Sequence, residues 1–315
     1  MTKLVPNYKT ENVTCYLCGS SQSDYFLTGE DDLTGIPGRF NFVRCRSCGM
    51  IYQNPRLCMD DVKNFYTDDY IAHRKNKKLG PLTPLYAWAM GKHDRDKIKL
   101  IKPYVKFNSG SCVLDVGCAV GTFLLLVKKT YNCRIVGVDF KDTSYYPGFS
   151  EIDFHLGLFH EQMLPAGSYD LITMWHFLEH DYYPLESLKK ARECLKDNGA
   201  LIIEVPRLDS ISYKLYGARW PGVQAPQHTV LYSKRHLLEI VKKQGFDIVD
   251  YLAYGAFPAY FYLFTGAAFK ILKGRGLNLK KTILPYFSGQ LLLAPFMLFE
   301  KHLNLSMQTV ILKKA

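Results

Sequence analysis

A doubly wound α/β sheet carrying a nucleoside site is the fold this chain predicts, and three observations lead to it. The first is Val113-Leu-Asp-Val-Gly-Cys-Ala-Val-Gly-Thr-Phe-Leu124, an apolar run that ends in an acid and two glycines and then turns amphipathic. It reads as a buried parallel strand, a glycine turn and the first turns of a helix. The second is Arg134-Ile-Val-Gly-Val-Asp139, an apolar strand closing on a carboxylate, about twenty residues on, where such sheets hold ribose hydroxyls. The third is the β-α-β alternation that follows. Tyr169 to Trp175 reads as a buried strand, and Pro184 to Lys196 as a helix with Pro inside its start and Gly199 past its end. Ala200-Leu-Ile-Ile-Glu-Val-Pro206 is the next strand; Ser233 caps a helix that runs to Gly245, and Phe246 to Leu252 returns as strand. Met307 to Lys313 predicts a final strand, antiparallel to that one. Gly117 and Gly121 let backbone approach a ligand where a Cβ would collide, and Asp115 is placed to accept hydrogen bonds from it.

The spelling Asp115-x-Gly117-x-x-x-Gly121 is similar to the first motif of class I S-adenosylmethionine (SAM)-dependent methyltransferases. It departs from the dinucleotide pattern Gly-x-Gly-x-x-Gly at its first position and in its third-glycine spacing, which makes a nicotinamide cofactor the weaker reading. The resemblance spans roughly residues 105 to 255 and implies a Rossmann-like sheet with an antiparallel last strand and SAM as cofactor. It assigns Asp115, Gly117 and Gly121 to the cofactor turn and Asp139 to the SAM ribose. Relatives place an Asp after the third strand for the adenine amine, whereas this chain has Leu158 there. Adenine is then left to backbone groups and to apolar contact with Leu158 or Phe159, with Glu161 a further candidate. After the fourth strand comes Trp175-His-Phe-Leu-Glu-His180. Its His-x-x-Glu-His spelling also matches a metalloprotease signature, but that chemistry needs a helix lining an open cleft, and this segment starts at a strand's end. In the methyltransferases it resembles, the first residues border the sulfonium; Trp175 and His176 inherit that place, and Glu179 and His180 fix the loop.

Nine cysteines are present, and four of them form two knuckles, Cys15-Tyr-Leu-Cys18-Gly and Cys45-Arg-Ser-Cys48-Gly, separated by 26 residues. Each pair can give two thiolates to one ion, and the trailing glycine frees backbone amides to turn toward the sulfurs. Cys15, Cys18, Cys45 and Cys48 therefore predict a closed tetrahedral zinc site that holds structure. The other five, Cys58, Cys112, Cys118, Cys133 and Cys194, read as buried free thiols of a reducing compartment. A pair of Cys-x-x-Cys knuckles ahead of a SAM domain resembles bacterial sugar C-methyltransferases and related enzymes of cell-surface glycan synthesis. In those enzymes a loop after the fifth strand carries a Glu-His pair that deprotonates substrate. The matching stretch, Pro226-Gln-His-Thr-Val-Leu-Tyr-Ser233, has His228 in place and Gln227 where the acid would be. Glutamine takes no proton at neutral pH, so the expectation moves from carbon to oxygen, with His228 or His176 as the base. A purely structural His228, hydrogen-bonding its loop, stays open.

Composition frames the whole. With 315 residues and 48% hydrophobic content, the chain can bury one α/β domain and a smaller unit. The expected organisation is a zinc module over 1–60, a helical linker over 61–104 and a SAM-dependent methyltransferase domain over 105–315, with an apolar insertion over 253–304. Tyr251 to Phe269 and Thr282 to Phe299 carry no charge and flank Lys270, Lys273, Arg275, Lys280 and Lys281. Gly, Pro, Ser and Gln interrupt both runs. They are expected to lie in an anionic membrane interface, or else to cap the domain. The net charge of +11 and the cluster Arg74-Lys-Asn-Lys-Lys78 suit such a surface, a phosphate-bearing carrier or nucleic acid. Neither an Asn/Asp-Pro-Pro-Tyr motif nor a Pro-Cys nucleophile accompanies the fold, which disfavours nucleic acid as substrate. The N-terminus lacks the apolar core of a secretory signal. The combined expectation is a cytoplasmic enzyme peripheral on the inner membrane face, methylating a hydroxyl of a glycan or lipid-linked sugar. Alternatives are a lipid or quinone O-methyltransferase and a sugar C-methyltransferase.

Overall fold

The computed structural model describes residues 7–67, 83–273, 276–277, 279–297 and 299–315. The basic cluster at 74–78 and Arg275 lie outside the described residues. In chain order the elements are β1 (Thr10–Glu11), β2 (Ser23–Gly29), β3 (Phe40–Cys45), β4 (Ile51–Gln53), β5 (Arg56–Leu57), α1 (Met59–Val62) and α2 (Thr83–Ile101). Next come β6 (Cys112–Val116), α3 (Thr122–Tyr131), β7 (Arg134–Asp139), β8 (Asp153–Leu156), β9 (Tyr169–Trp175), α4 (Pro184–Cys194) and β10 (Leu195–Pro206). The chain ends with α5 (Ile211–Tyr216), β11 (Val230–Leu231), α6 (Lys234–Lys243), β12 (Phe246–Leu252), α7 (Ala259–Leu272), α8 (Leu279–Met297) and β13 (Met307–Lys314). These gather into two compact units. One comprises Met1–Tyr70, Pro206–Leu237 and Pro258–Met307; the other comprises Ile71–Val205, Leu238–Phe257 and Gln308–Ala315.

The second unit is built on a seven-stranded sheet of order β12-β13-β10-β9-β6-β7-β8. Strands β10, β9, β6, β7 and β8 run parallel, and β12 pairs antiparallel with β13. All five residues of β6 and five of the six in β7 are buried, as a sheet covered on both faces requires. Helix α3 turns Phe123, Leu124 and Val127 inward, the i, i+1, i+4 face that an amphipathic helix buries. One local expectation is corrected. Gly199 does not end a helix: α4 stops at Cys194, and Gly199 lies in a bulge of β10 between Leu195 and Ala200. A Cβ there would sit 2.9 Å from the Tyr169 carbonyl oxygen, so the glycine serves a close strand approach.

The first unit draws together stretches far apart in sequence. Its four-stranded antiparallel sheet has the order β11-β4-β3-β2, so the segment after β10 supplies an edge strand to the N-terminal residues. The Gln53 amide donates to the Pro226 carbonyl at 2.9 Å and also to that of His228. Residues 258–307 are built into the same unit. The Ile211 and Ser212 amides donate to the Asn304 and Leu305 carbonyls at 2.9 and 3.0 Å, and the Tyr216 hydroxyl donates to the Leu263 carbonyl at 2.7 Å. Helices α7 and α8 meet through aromatic rings, Tyr286 standing 5.1 Å from Tyr260 and 5.4 Å from Phe264. Pro285 and Pro295 interrupt α8. Among the described residues no helix is long and apolar enough to cross a membrane.

Candidate functional site

In the second unit the strand order reverses between β6 and β9, since β7 and β8 follow on one side and β10 on the other. At such a switch point the loops leave in opposite directions and open a crevice at the carboxyl ends of the strands. The turn after β6 forms its lip. Gly117 has φ +74°, and a Cβ there would lie 3.0 Å from the Phe177 ring, so both backbone conformation and space demand glycine. Gly117 and Cys118 donate their amides to the Val138 carbonyl at 2.8 and 3.1 Å, tying the turn to β7. Gly121 has φ +69° and caps α3.

Two carboxylates stand at this lip. Asp139 is buried at the end of β7 and accepts the Ala119 amide at 2.8 Å and the Lys141 amide at 2.9 Å, so it shapes the turn from below. Burial pushes its carboxyl pKa up, against the pull of those amides. Asp115 is buried in β6 and accepts the Thr173 hydroxyl of β9 at 2.6 Å, a bond that joins the two strands of the switch point.

The remaining expected contacts separate on inspection. Leu158, just after β8, keeps an accessible side, whereas Phe159 is buried and Glu161 is exposed. Trp175 is the last residue of β9 and its ring is buried edge-on to Phe123 at 5.7 Å, with the Lys97 ammonium 5.2 Å from both rings. Its indole belongs to the core, which leaves its backbone at the crevice. Residues 177–180 form a turn rather than a helix, so the metalloprotease geometry is absent.

His176 is held in a cluster that sequence reasoning only half located. It adopts φ +53°, a conformation uncommon for a side-chain-bearing residue, directly after β9. Its Nδ1 lies 3.3 Å from Glu179 Oε1 and its Nε2 lies 3.2 Å from Glu204 Oε1. Both carboxylates are fully buried. Burial alone would lower the imidazole pKa, but the two carboxylates outweigh it and raise the value to about 9. His176 is therefore an imidazolium at neutral pH, a donor rather than the proton acceptor expected of a base. Glu204 was not singled out in the sequence, although an acid inside the apolar run Ala200 to Pro206 was the available signal. Its carboxylate also accepts the amides of Ala256 at 2.6 Å and Phe257 at 3.1 Å. Burial pushes the Glu204 pKa up, and His176 with these amides brings it below the usual carboxylate range. The Phe257 ring packs edge-on against His176 at 4.9 Å and against His93 of α2 at 5.1 Å.

His228 belongs to the first unit. It is buried, and its Nδ1 lies 2.7 Å from the Gly222 carbonyl oxygen, to which it donates. Gln227 is buried beside it and donates to the Phe65 carbonyl at 3.3 Å.

The same unit gathers Cys15, Cys18, Cys45 and Cys48, whose Sγ atoms all lie within 4.8 Å of one another. Cys15 and Cys48 are 3.4 Å apart and Cys18 and Cys45 3.5 Å apart, close to the roughly 3.8 Å edge of a tetrahedron with metal–sulfur bonds near 2.3 Å. In each knuckle the glycine has positive φ and donates its amide back to the first cysteine, Gly19 to Cys15 at 2.8 Å and Gly49 to Cys45 at 2.9 Å. The donor set fits a closed tetrahedral metal site. His236 reinforces it from α6, with Nε2 3.1 Å from the Cys48 carbonyl oxygen and Nδ1 2.9 Å from the Ser233 hydroxyl.

Comparison with known proteins agrees with the sheet and its crevice. Residues 90–251, just over half of the chain, match the family described as "Methyltransferase domain". An uncharacterized 37.1 kDa protein in transposon Tn4556 of Streptomyces fradiae is 29% identical over 114 residues, which cover 33% of this chain and 32% of that protein. The match thus spans about a third of that relative's length. Geranyl diphosphate C-methyltransferase from Streptomyces coelicolor A3(2), solved with Mg2+, geranyl diphosphate and S-adenosyl-L-homocysteine, is 8% identical with a TM-score of 0.50, covering 76% of this chain and 86% of that one. A geranyl diphosphate methyltransferase in complex with SAM gives 8% identity and a TM-score of 0.51, with 76% and 94% covered. Likeness at this identity concerns the fold alone.

The His176 cluster has a measurable consequence. Its pKa is raised above the unfolded value, so the stability it contributes is complete below about pH 6.5 and is lost as pH rises through about 9. The difference in Tm between the wild type and His176→Asn, a residue that tolerates positive φ, should shrink between pH 6 and pH 10 in calorimetry. A gap that stays constant would show that His176 is not held as a cation.

Proposed function

The chain belongs to the methyltransferase-domain family, and from that premise we propose that it transfers the methyl group of SAM to a hydroxyl of a glycan or lipid-linked sugar, at the inner face of an anionic membrane. The observation that supports the cofactor assignment is the switch-point crevice, where the Gly117 turn lies beside the carboxylate of Asp139 that closes β7. SAM supplies a sulfonium-bound methyl: the S–CH3 bond breaks with its electron pair left on sulfur, an O–CH3 bond forms, and the hydroxyl proton is released. The protein's part is orientation. Asp139 and the glycine turn fix the nucleoside, Leu158 offers an apolar contact to the base, and the backbone of Trp175 and His176 borders the reacting end. The proton acceptor is His228, whose ring is oriented by the bond from Nδ1 to the Gly222 carbonyl. His176, held as a cation, positions the loop instead. Oxygen is favoured over carbon as the acceptor because Gln227 stands where a carboxylate would assist carbon deprotonation. The sugar assignment rests on the resemblance carried by the cysteine knuckles and the stretch around His228. We further assign zinc to the four cysteines, in a structural role, since four thiolates leave no open position.

Titration calorimetry and radiolabelled SAM with a bacterial membrane-lipid extract test this reading. Wild-type protein should bind SAM and label a glycolipid fraction. Asp139→Ala should weaken SAM binding about tenfold or more through lost hydrogen bonds to a charged group, and His228→Ala should lose transfer while SAM affinity stays. Unchanged SAM affinity in Asp139→Ala would overturn the crevice assignment.

Zinc removal gives a separate outcome. The double substitution Cys45→Ser with Cys48→Ser should release one equivalent of zinc by metal analysis and lower the Tm of the first unit, while SAM still binds. A metal-free wild type of undiminished stability would refute the assignment.

A further inference from the structure

Helix α8 presents apolar side chains to solvent between Leu284 and Pro295. Leu284, Pro285, Ser288 and all five residues from Leu291 to Pro295 are exposed. Residues 284, 288, 291, 292 and 295 share one helical face, and Leu293 and Ala294 extend the exposed apolar surface around the end of the helix. Ser288 alone breaks its apolar character. The opposite side carries Tyr286, packed on Tyr260 and Phe264, and Gly289, at which a Cβ would meet the Tyr260 hydroxyl. The Tyr286 ring thus turns inward, and Leu284, Leu291 and Leu292 turn outward. Leu291 and Leu292 are each 78% exposed and Leu284 59%. Ile271 at the end of α7 and Phe299 just past α8 add 79% and 59% exposed apolar side chains. Single exposed leucines need no explanation, but a periodic stripe of them marks a surface that is covered in use.

Charge identifies what covers it. No acidic residue occurs between Asp250 and Glu300, while the connecting segment from Lys270 near the end of α7 to Lys281 near the start of α8 carries Lys270, Lys273, Arg275, Lys280 and Lys281. Glu300 is engaged internally, accepting the Ala259 amide at 3.0 Å. An apolar stripe beside an exclusively basic connector is complementary to lipid tails beneath anionic headgroups. A second copy of the same chain would set basic connector against basic connector in a two-fold pairing. From Leu284 to Pro295 the stripe is about 17 Å long, short of the roughly 30 Å of a hydrocarbon core, so the helix lies in the plane of the interface.

We propose that the outward face of α8, with Ile271, Phe299 and the exposed Lys270 and Lys273, is a docking surface for an anionic bilayer. This deepens the reading of a lipid-linked acceptor and rests on it for its purpose, although docking can be measured without any acceptor. The test is flotation of the full chain with phosphatidylcholine vesicles containing about one third phosphatidylglycerol, alongside titration of SAM. Wild type should float with these vesicles, should bind phosphatidylcholine alone far less, and should lose about tenfold in partitioning as salt rises from low to moderately high ionic strength. The triple variant Leu284→Glu, Leu291→Glu and Leu292→Glu should lose vesicle binding at least tenfold with unchanged SAM affinity. Should the triple variant not fold, Leu291→Gln with Leu292→Gln must still weaken flotation severalfold. Wild type that stays at the bottom of the gradient, or variants that float as well as wild type, would overturn the proposal. So would a wild-type dimer that fails to float and that the triple variant turns into monomer, because a second copy would then be the occupant. Wild type that floats yet methylates no lipid-extract component would leave the docking surface standing and remove the acceptor reading.

Discussion

The site in the second unit depends on how one buried charge is satisfied. Glu204 lies within the apolar strand β10, close to its end, with no exposure to water, and an isolated carboxylate there would be too costly to keep ionised. It is answered by the His176 imidazole from the end of β9 and by the successive amides of Ala256 and Phe257 that follow β12. The same contacts decide the state of the histidine. With a second carboxylate, Glu179, at its other nitrogen, His176 is stabilised as a cation in spite of burial that favours the neutral ring. A residue whose sequence position suggested a base is thereby turned into a brace. The uncommon backbone conformation of His176 fits that role, since strain of this kind persists only where surrounding contacts over-determine it.

A comparable economy operates at the lip of the crevice. Asp139 holds the amides of Ala119 and Lys141, and Asp115 holds the Thr173 hydroxyl, so each acid that could meet a ligand also fixes the turn or the strand pair presenting it. Pre-organisation follows directly: a turn already hydrogen-bonded to β7 and packed on Phe177 has little ordering left to do when a nucleoside enters.

The first unit solves a different problem. Its N-terminal residues form a small sheet with few strands, and units of this size need more than their own apolar core to persist. Four cysteines at metal-binding separation offer one staple, and the chain returning after β10 offers another, through β11 and through the Gln53 contacts to the Pro226 and His228 carbonyls. His228 is consequently embedded in the unit that carries the cysteines, its ring orientation set by the Gly222 carbonyl.

Local pattern determined much of this protein in advance. The buried strands β6, β7 and β9, the partly exposed strand β12, the glycine turn, the acid closing β7, the two cysteine knuckles and the uncharged C-terminal runs are all one-dimensional features, because each depends on hydrophobic period, turn chemistry or short spacing. What tertiary structure alone decided are matters of partner and direction. Periodicity does not say that Gly199 passes beneath the Tyr169 carbonyl, that the acid within Ala200 to Pro206 meets His176, that Trp175 turns its ring into the core, or that the segment around His228 joins the N-terminal sheet. Nor does the apolar run of α8 reveal which of its faces points outward, since that is set by where Tyr260 and Phe264 receive Tyr286. The physical reason is common to all of them: a side chain's charge state, burial and orientation are fixed by groups that folding brings near from distant parts of the chain, and these leave no mark on the local sequence.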